Sequence, residues 1–373
     1  MRSGFERAQV VVLSGVDWSA AWQRHQIFAS QLAAAGHDVF FVENTGFRGP
    51  GPSDLGRVWD RLKSLAAPRR AGLPQNLRVI APRVLPPTGR AFRRCNSAIL
   101  IPGIVSALRA AGLRPGPLLI AYLPTATSLA LIRGLDPRVT VYDCAANFRA
   151  HPGAPADLPT QESELLARAD LVVCDSDFLY QQKRAEHSNV VQVHQGVPDA
   201  FFAVEPPDPR FRRLCYFGTW GPDHDPAYLA ALCEAGFEVT VHGPGKGAAP
   251  LPAGARRSPP IGYDGLAPLL ERFDGFLLPY RKDPFLLGVI PAKLYECLAM
   301  GRPILATSLP CFAPLGRLVH VSDDPSGWVS IARDLPRTET SALREERIAL
   351  AREHSQSREF QRLLAALRAA WEK

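Results

Sequence analysis

Lys293 and Glu296 are the residues whose types and spacing first suggest chemistry. They stand three residues apart in the stretch PAKLYECLAMGRPILAT, 291–307. Pro291 before the apolar row and Gly301 after it predict a short helix, because proline favours the first helical position and glycine the position just past the end. Residues at i and i+3 share one face of a helix. The two charged side chains therefore face either bulk water or a ligand.

A nucleoside diphosphate matches this pair chemically. The amino end of a helix carries partial positive charge and free N–H groups, which suit a phosphate. Lys293 adds a full charge in the first turn. One turn further on, the carboxylate of Glu296 can accept hydrogen bonds from both hydroxyls of a ribose. An exposed ion pair between the two residues is the alternative.

Two series of apolar runs alternate with helical segments on either side of PPDP, 206–209. Such alternation predicts two doubly wound α/β domains with parallel sheets. We place the first domain at 1–205 and the second at 206–355, with 356–373 as a final helix that can pack back on the first domain. The predicted strands are 9–15, 38–44, 77–82, 117–124, 139–144, 169–176 and 189–196, then 213–220, 237–245, 275–280, 302–308 and 317–323.

The composition is that of a globular protein, with 46% apolar and 21% charged residues among 373. A net charge of +7 suits a nucleotide diphosphate, an anionic membrane or nucleic acid, and a generally arginine-rich composition is the alternative explanation. The seven cysteines show no CxxC pair or metal-ligand spacing, which indicates reduced thiols in a cytoplasmic protein. We expect no signal peptide and no transmembrane helix.

Several common nucleotide and hydrolase motifs are missing from the sequence. The first strand is followed by SGVDWSAAW and not by GxGxxG, and neither a P-loop nor a GxSxG elbow occurs. The acidic triplet DSD (175–177) follows a strand, so Asp175 or Ser176 is more simply a helix N-cap than part of a metal site. A dehydrogenase, a P-loop ATPase and an α/β-hydrolase are therefore disfavoured.

The segment LPYRKDPFLLGVIPAKLYECLAMGRPILATSLP resembles the donor-site pattern P-x-K-x-x-E-x-x-A-x-G-x-P-[IV]-[LIV]-A-[ST] of GT-B glycosyltransferases. SGVDWSAAWQRHQIFASQLAAAGHDVFFVENTG resembles the first β-α-β unit of the bacterial polysaccharide-biosynthesis members, the group 1 or family 4-like enzymes. VYDCAANF, ESELLARADLVVCDSDFL, VHQGVPDAFF and LCYFGTWGPDHDPAYLAAL resemble later segments in the same order. The resemblance implies two Rossmann-like domains facing across a cleft, with the nucleotide on the second and the acceptor mainly on the first.

The same resemblance implies roles for individual residues. Glu296 would hold the ribose and Lys293 the diphosphate. The other donor-side residues it implies are Tyr280 and Arg281 beside the donor, Gly218 and Thr219 near the phosphates, and Tyr263 in IGYDGL (261–266) near the base.

The chain departs from the family pattern at several places, among them Ala146 and Gln195, and two further departures concern the donor site. Retaining members carry two glutamates that are eight residues apart. Glu296 matches the later one, and Gly288 stands at the position of the earlier one. Retaining and inverting mechanisms therefore both stay open. The cation that often follows the first strand of the second domain is absent from GTWGPDHD, 218–225, and Arg281 or Lys282 is the predicted substitute.

An inverting enzyme needs a general base near the acceptor hydroxyl. Asp17 and Asp143 stand at the carboxyl ends of strands, where α/β crevices bind ligands, and His25 is a third candidate. The alternatives are a helix cap for Asp17, a turn role for Asp143 and simple solvent exposure for His25. We expect the acceptor side to be lined by Trp18, Trp22 and Arg24.

Two segments of the first domain are both basic and apolar: RVWDRLKSLAAPRR (57–70) and RAFRRCNSAILIPGIVSALR (90–109). Basic amphipathic helices can rest on an anionic membrane and reach a lipid-linked acceptor. Ordinary surface helices packed on the sheet are the alternative. No nucleic-acid-binding module is recognisable, so we expect no nucleic-acid partner.

These observations predict a hexosyltransferase that moves a sugar from a UDP- or GDP-sugar to a glycan, lipid-linked or small-molecule acceptor. We expect it in the cytoplasm or at the inner face of the plasma membrane. No metal or other cofactor is expected, because a helix end, a lysine and an arginine can neutralise the phosphates. A GT-B-fold epimerase or hydrolase, and a catalytically inactive scaffold that binds nucleotide sugars, are the alternatives.

Overall fold

The computed structural model describes residues 4–20, 22–47, 73–82, 84–85, 90–202, 205, 207–245 and 250–373. The chain forms two compact units, Met1–Val193 with Phe360–Lys373, and His194–Glu359. The first unit ends earlier than the predicted boundary at residue 205. The reason is that Val197 bridges to Ser355 and Phe201 lies in the core of the second unit.

The first unit is built on a seven-stranded parallel sheet in the order β3-β2-β1-β4-β5-β6-β7. Strand β1 lies inside this sheet between β2 and β4, and all four of its residues are buried. Strands covered on both faces need continuous apolar runs, which is why these segments were recognisable. The strands are β1 Val10–Leu13, β2 Val39–Val42, β3 Leu77–Ile80, β4 Leu118–Ala121, β5 Val139–Cys144, β6 Leu171–Cys174 and β7 Val190–Gln192.

Helices cover both faces of this sheet. Val10 and Val12 point into one hydrophobic core, and Val11 and Leu13 point into the other, as the two-residue period of a strand requires. The helices are α1 Arg24–Ala34, α2 Arg90–Cys95, a π-helix Asn96–Leu100, α3 Ile101–Ala110, α4 Ala126–Leu135, α5 Leu158–Arg168 and α6 Asp177–Arg184.

The second unit contains a six-stranded parallel sheet in the order β10-β9-β8-β11-β12-β13. Its strands are β8 Arg213–Phe217, β9 Glu238–His242, β10 Arg256–Ser258, β11 Gly275–Leu278, β12 Ile304–Ala306 and β13 His320–Val321. Its helices are α7 Pro226–Glu234, α8 Leu266–Leu270, α9 Leu294–Ala299, α10 Pro325–Thr338 and α11 Ser341–Glu353. The last helix, α12 Gln356–Trp371, places Phe360, Leu363 and Leu367 in a core of the first unit.

The prediction that Pro291 opens the donor-site helix is wrong. Helix α9 begins at Leu294, whose N–H donates to the carbonyl of Pro291 at 2.8 Å. This bond spans three residues and not four, so Pro291 to Lys293 form a tighter turn that leads into the helix.

Some sequence predictions fall partly or wholly outside the described residues. The basic segment 57–70 is one of them. Within the described ranges, the helices are all too short or too polar to cross a bilayer.

A buried ion pair joins α11 to the end of α10 in the second unit. The Arg347 guanidinium donates to both carboxylate oxygens of Glu339, at 2.6 and 2.7 Å, and to the carbonyl of Leu318. His320 Nε2 lies 2.9 Å from the same carboxylate. These contacts hold the pKa of Glu339 down to about 2 against the opposing effect of burial.

We predict that Arg347→Met lowers the free energy of unfolding by about 3–5 kcal/mol, because it leaves the buried Glu339 charge without its main partner. Arg317→Met removes an exposed partner of Glu346 and should cost less than about 0.5 kcal/mol. Urea unfolding of both variants measures the difference. Equal losses would show that the Arg347 pair is not a buried structural contact.

Candidate active site

The turn and helix that carry Lys293 and Glu296 lie at the carboxyl edge of the second sheet, near the ends of β8 and β11. Leu294, Cys297 and Leu298 bury the apolar face of α9 as predicted. The carboxyl ends of parallel strands are where α/β folds bind ligands. The sequence thus places both charged residues at a chemically useful edge.

Lys293 is held by aromatic side chains. Its Nζ donates to the hydroxyl of Tyr280 at 2.8 Å and lies 5.0 Å from the ring centroid of Tyr216 and 5.5 Å from that of Tyr280. Burial by itself lowers the pKa of Lys293, but the two tyrosines and Glu296 outweigh it, so the pKa is raised. The ammonium group is therefore charged and fixed in position.

Glu296 is almost fully buried, with 5% of its surface exposed, and Tyr263 donates to its Oε1 at 2.6 Å. Burial raises the pKa of Glu296 to about 7, and the hydrogen bond from Tyr263 and the charge of Lys293 limit the rise. Among the described residues, no ion pair joins Lys293 to Glu296. The simple exposed salt bridge is therefore not what the structure contains.

The turn after β8 touches the lysine stem. A Cβ placed on Gly218, whose φ is +110°, would lie 3.0 Å from Lys293 Cε. Thr219 is exposed, and its backbone N–H has no hydrogen-bond partner among the described residues. Below this turn Gly243 (φ +131°) packs so closely that a Cβ there would lie 2.5 Å from the Gly218 carbonyl oxygen. The turn, the lysine and the two glycines form one closely packed group.

His224 is a functional candidate that the sequence did not reveal. The N–H of Gly221 donates to its Nδ1 at 3.2 Å, its Nε2 lies 2.7 Å from the Tyr216 hydroxyl, and that hydroxyl donates to the Thr219 carbonyl at 2.8 Å. All three bonds form together only when the proton is on Nε2. Burial and the nearby Lys293 lower the pKa of His224 to about 3. A neutral imidazole therefore braces the turn.

The two predicted substitutes for the missing cation have other partners. The Arg281 Nε donates to the His224 carbonyl at 3.2 Å, and its guanidinium lies 3.8 Å from Asp225. Lys282 forms an ion pair with Asp323. Lys293 therefore stands out as the cation directed at the turn after β8.

Gly288 is buried at the end of a short 3₁₀ helix, Leu286–Gly288.

Arg24 in the first unit is a buried structural cation and not an open acceptor wall as predicted. Only 3% of its surface is exposed. Its Nε donates to both oxygens of Asp143, at 2.8 and 3.0 Å, and its Nη1 donates to Asp175 at 3.1 Å and to the Val193 carbonyl at 2.6 Å. Three strand ends, β5, β6 and β7, are tied together by this one guanidinium. The first turn of helix α1 is buried, so the Arg24 side chain does not face an acceptor as predicted.

Asp143 is engaged with this arginine. Burial raises the pKa of Asp143 to about 6, and the Arg24 charge opposes the rise. A carboxylate that accepts two bonds from a guanidinium is already compensated and is poorly placed to take a proton from an acceptor. Its geometry indicates that it positions Arg24.

His25 is buried and not solvent-facing, which excludes that alternative. Its ring stacks on Tyr122 at a centroid distance of 3.7 Å, and its Nδ1 accepts from the N–H of Gly15 at 3.2 Å. Burial, with Arg24 adding to the effect, lowers the pKa of His25 to about 3. The imidazole is neutral, and because its Nδ1 accepts a hydrogen bond, its proton lies on Nε2.

Asp17 and the two tryptophans lie in the loop between β1 and α1. The ring of Trp18 packs edge-on against that of Trp22 at a centroid distance of 5.4 Å, and the backbone N–H of Trp18 donates to Oε1 of Glu43 at 2.9 Å. The N-cap of α1 is Gln23, which excludes Asp17 as the cap. Glu43, directly after β2, was missed although an acid after an apolar strand is the signal that singled out Asp143.

No protein-family model matches the chain. It is 26% identical over 200 residues to TuaH of Bacillus subtilis (strain 168), described as a teichuronic acid biosynthesis glycosyltransferase, an alignment that covers 46% of this chain. The chain spans 50% of the length of this curated relative.

Two groups of solved structures share the architecture. Sucrose-phosphate synthase from Thermosynechococcus elongatus superposes with a TM-score of 0.67 at 14% identity, covering 98% of this chain and 100% of that one. Anabaena HepE, solved with UDP and glucose, gives 0.68 at 11% identity, covering 97% and 100%. The chain therefore has the GT-B fold, and the resemblance to GT-B glycosyltransferases is confirmed.

We predict that Gly243→Ala destabilises the protein by at least about 1 kcal/mol more than Gly236→Ala. Both glycines have positive φ, +131° and +88°, but a Cβ at Gly236 meets nothing within 4 Å. Gly236→Ala, the control, measures the cost of a positive φ alone. The additional loss of stability in Gly243→Ala then measures the overlap of the new Cβ with the Gly218 carbonyl oxygen. Urea unfolding measures both, and equal losses would mean that the turn is not packed as described.

Proposed function

We propose that this chain is a glycosyltransferase that uses a nucleoside diphosphate sugar, with a UDP-sugar as the first donor to test. The observation that carries the proposal is the fixed ammonium of Lys293 beside the Gly218–Thr219 turn, with the carboxylate of Glu296 one turn further on. HepE, which shares the fold, was solved in complexes with UDP and with UDP-glucose. These proteins support a nucleotide sugar as the donor.

In this proposal each group has a separate task. Lys293 and the open N–H of Thr219 take the diphosphate, because a partly buried cation and an unpaired donor both favour an anion. Glu296 accepts hydrogen bonds from the ribose hydroxyls. Tyr263, whose hydroxyl now occupies Oε1 of Glu296, moves or shares that oxygen when the ribose binds.

The catalytic step needs no covalent intermediate on the chain. Transfer breaks the bond between the sugar and the diphosphate and forms one to the acceptor oxygen, whose proton goes to a base. Asp17 is the proposed base, since Asp143 is compensated by Arg24 and the neutral His25, whose Nδ1 accepts from Gly15, carries its proton on Nε2. Lys293 stabilises the departing diphosphate by its charge. The proposed acceptor is a glycan, a lipid-linked sugar or a small molecule with a free hydroxyl.

Donor turnover is the direct test of this function. Release of diphosphate that depends on an added acceptor supports a transferase, release without any acceptor supports a hydrolase, and formation of an isomeric donor supports an epimerase. No turnover with any donor, despite nucleotide binding, would leave only a binding scaffold.

We predict that UDP raises the melting temperature and that Lys293→Ala and Glu296→Ala abolish the rise. Saturation at about 100 times Kd adds about 2.7 kcal/mol of stability, a shift of several degrees. Arg337→Ala, an exposed residue of α10, is the control and should keep the shift. Thermal-shift curves with UDP, GDP and dTDP settle the base preference, and an undiminished shift in both site variants would exclude this site.

We predict that UDP-glucose binds more tightly as the pH rises through 7. The pKa of Glu296 is raised to about 7, and only its charged form accepts both ribose hydroxyls. Between pH 6 and pH 8 the charged fraction grows about tenfold, so Kd should fall by roughly the same factor. Isothermal titration calorimetry measures this, and Glu296→Gln should remove the dependence. A wild-type Kd that does not change with pH would contradict the assigned role.

A further inference from the structure

We infer that the surface formed by α2, the π-helix and α3 docks on a bilayer of anionic phospholipid. This basic apolar face is defined by the exposed residues Phe92, Arg94, Ile99 and Arg109, together with a groove between α3 and α4. It belongs to the first unit and shares no residue with the nucleotide site. The inference does not rest on the proposed function.

The first argument is the exposure of large apolar side chains. Ile99 is 66% exposed, more than any other large apolar side chain among the described residues, and Phe92 is 46% exposed. The neighbouring exposed residues of α3 and the π-helix have no polar side-chain atoms either: Ala98, Pro102, Gly103 and Ala107. Such a contiguous apolar surface on a folded protein indicates an interaction site.

The second argument is that this exposure is built in. Asn96 is buried and clamps the start of the π-helix, since its Nδ2 donates to the Leu85 carbonyl and its Oδ1 accepts from the Leu85 N–H, both at 2.8 Å. Helix α3 meanwhile turns Ile101, Ile104 and Leu108 into the core. With these two anchors in place, Ile99 cannot rotate inward.

The third argument is charge. Residues 90–110 contain four arginines and no acidic residue. Arg93 is paired with Asp157, but no carboxylate lies within ion-pair distance of Arg94 or Arg109 among the described residues. Two exposed arginines beside exposed isoleucine and phenylalanine match the phosphates and the acyl boundary of an anionic leaflet. A soluble polyanion would match the arginines alone and leave the apolar side chains in water.

The groove supplies a place for a headgroup. It has a volume of about 470 Å³, and its polar lining residues are Ser97, Ser106, Arg109 and Arg133. Its two charged lining residues are both arginines, of which Arg133 is paired with Glu164 at 2.9 Å. Arg109 is therefore the cation that a lipid phosphate would meet, with the hydroxyls of Ser97 and Ser106 nearby.

The test is co-sedimentation of the full chain with vesicles of equal parts phosphatidylglycerol and phosphatidylcholine. We predict binding that is weakened by high salt and absent with phosphatidylcholine alone. Arg94→Glu with Arg109→Glu should weaken the binding by about 20-fold or more, since each basic residue near the surface contributes about a fivefold factor. Phe92→Ser with Ile99→Ser should weaken it by about tenfold.

The matched control is Arg256→Glu with Arg337→Glu, which changes the net charge equally but alters exposed residues of the second unit. It should retain most of the binding. Far-UV circular dichroism melting shows whether the variants fold, and UDP thermal shifts tell a failure of this surface from a failure of the nucleotide site. Equal losses in the control, no binding by the wild type, or a dimer that Ile99→Ser dissolves would each overturn the inference.

Discussion

The charge on Lys293 is the constraint around which the second unit's carboxyl edge is organised. Removing an ammonium group from water, even in part, is costly unless the charge is compensated. Here a tyrosine hydroxyl, two aromatic faces and the nearby carboxylate of Glu296 provide that compensation. Burial and the nearby cation together lower the pKa of His224, so its ring packs beside Lys293 as a neutral imidazole. The position of the turn after β8 follows from these contacts.

The two units share one architecture, but the cation at the carboxyl edge of the sheet is paired with carboxylates in the first unit and left available to an anion in the second. At the carboxyl edge of the first sheet, Arg24 contacts Asp143, Asp175 and the Val193 carbonyl. Its charge is therefore already compensated by groups at three strand ends. At the corresponding edge of the second sheet, no carboxylate of the described residues lies at bonding distance from Lys293, and the Thr219 N–H beside it has no partner among those residues. An anion would therefore gain more at the second edge than at the first.

Much of the fold was predictable because parallel strands buried on both faces require uninterrupted apolar runs. VVVL at β1 and GFLL at β11 are recognisable without any partner strand. Boundaries set by long-range contacts were not predictable in this way. The first unit ends at Val193 because Val197, only four residues later, bridges to the distant Ser355 in the second unit. That contact leaves no local pattern in the sequence.

The sequence by itself determined the α/β class, the order of the strands along the chain and the pair Lys293 and Glu296, since these depend on local periodicity and spacing. Only the tertiary structure decided what each charged group contacts. Arg24 and Asp143, 119 residues apart, become a buried ion pair, and His224 becomes a neutral brace for Tyr216. Whether a charge is compensated or available depends on burial and on partners from distant strands, and neither is written in the residues beside it.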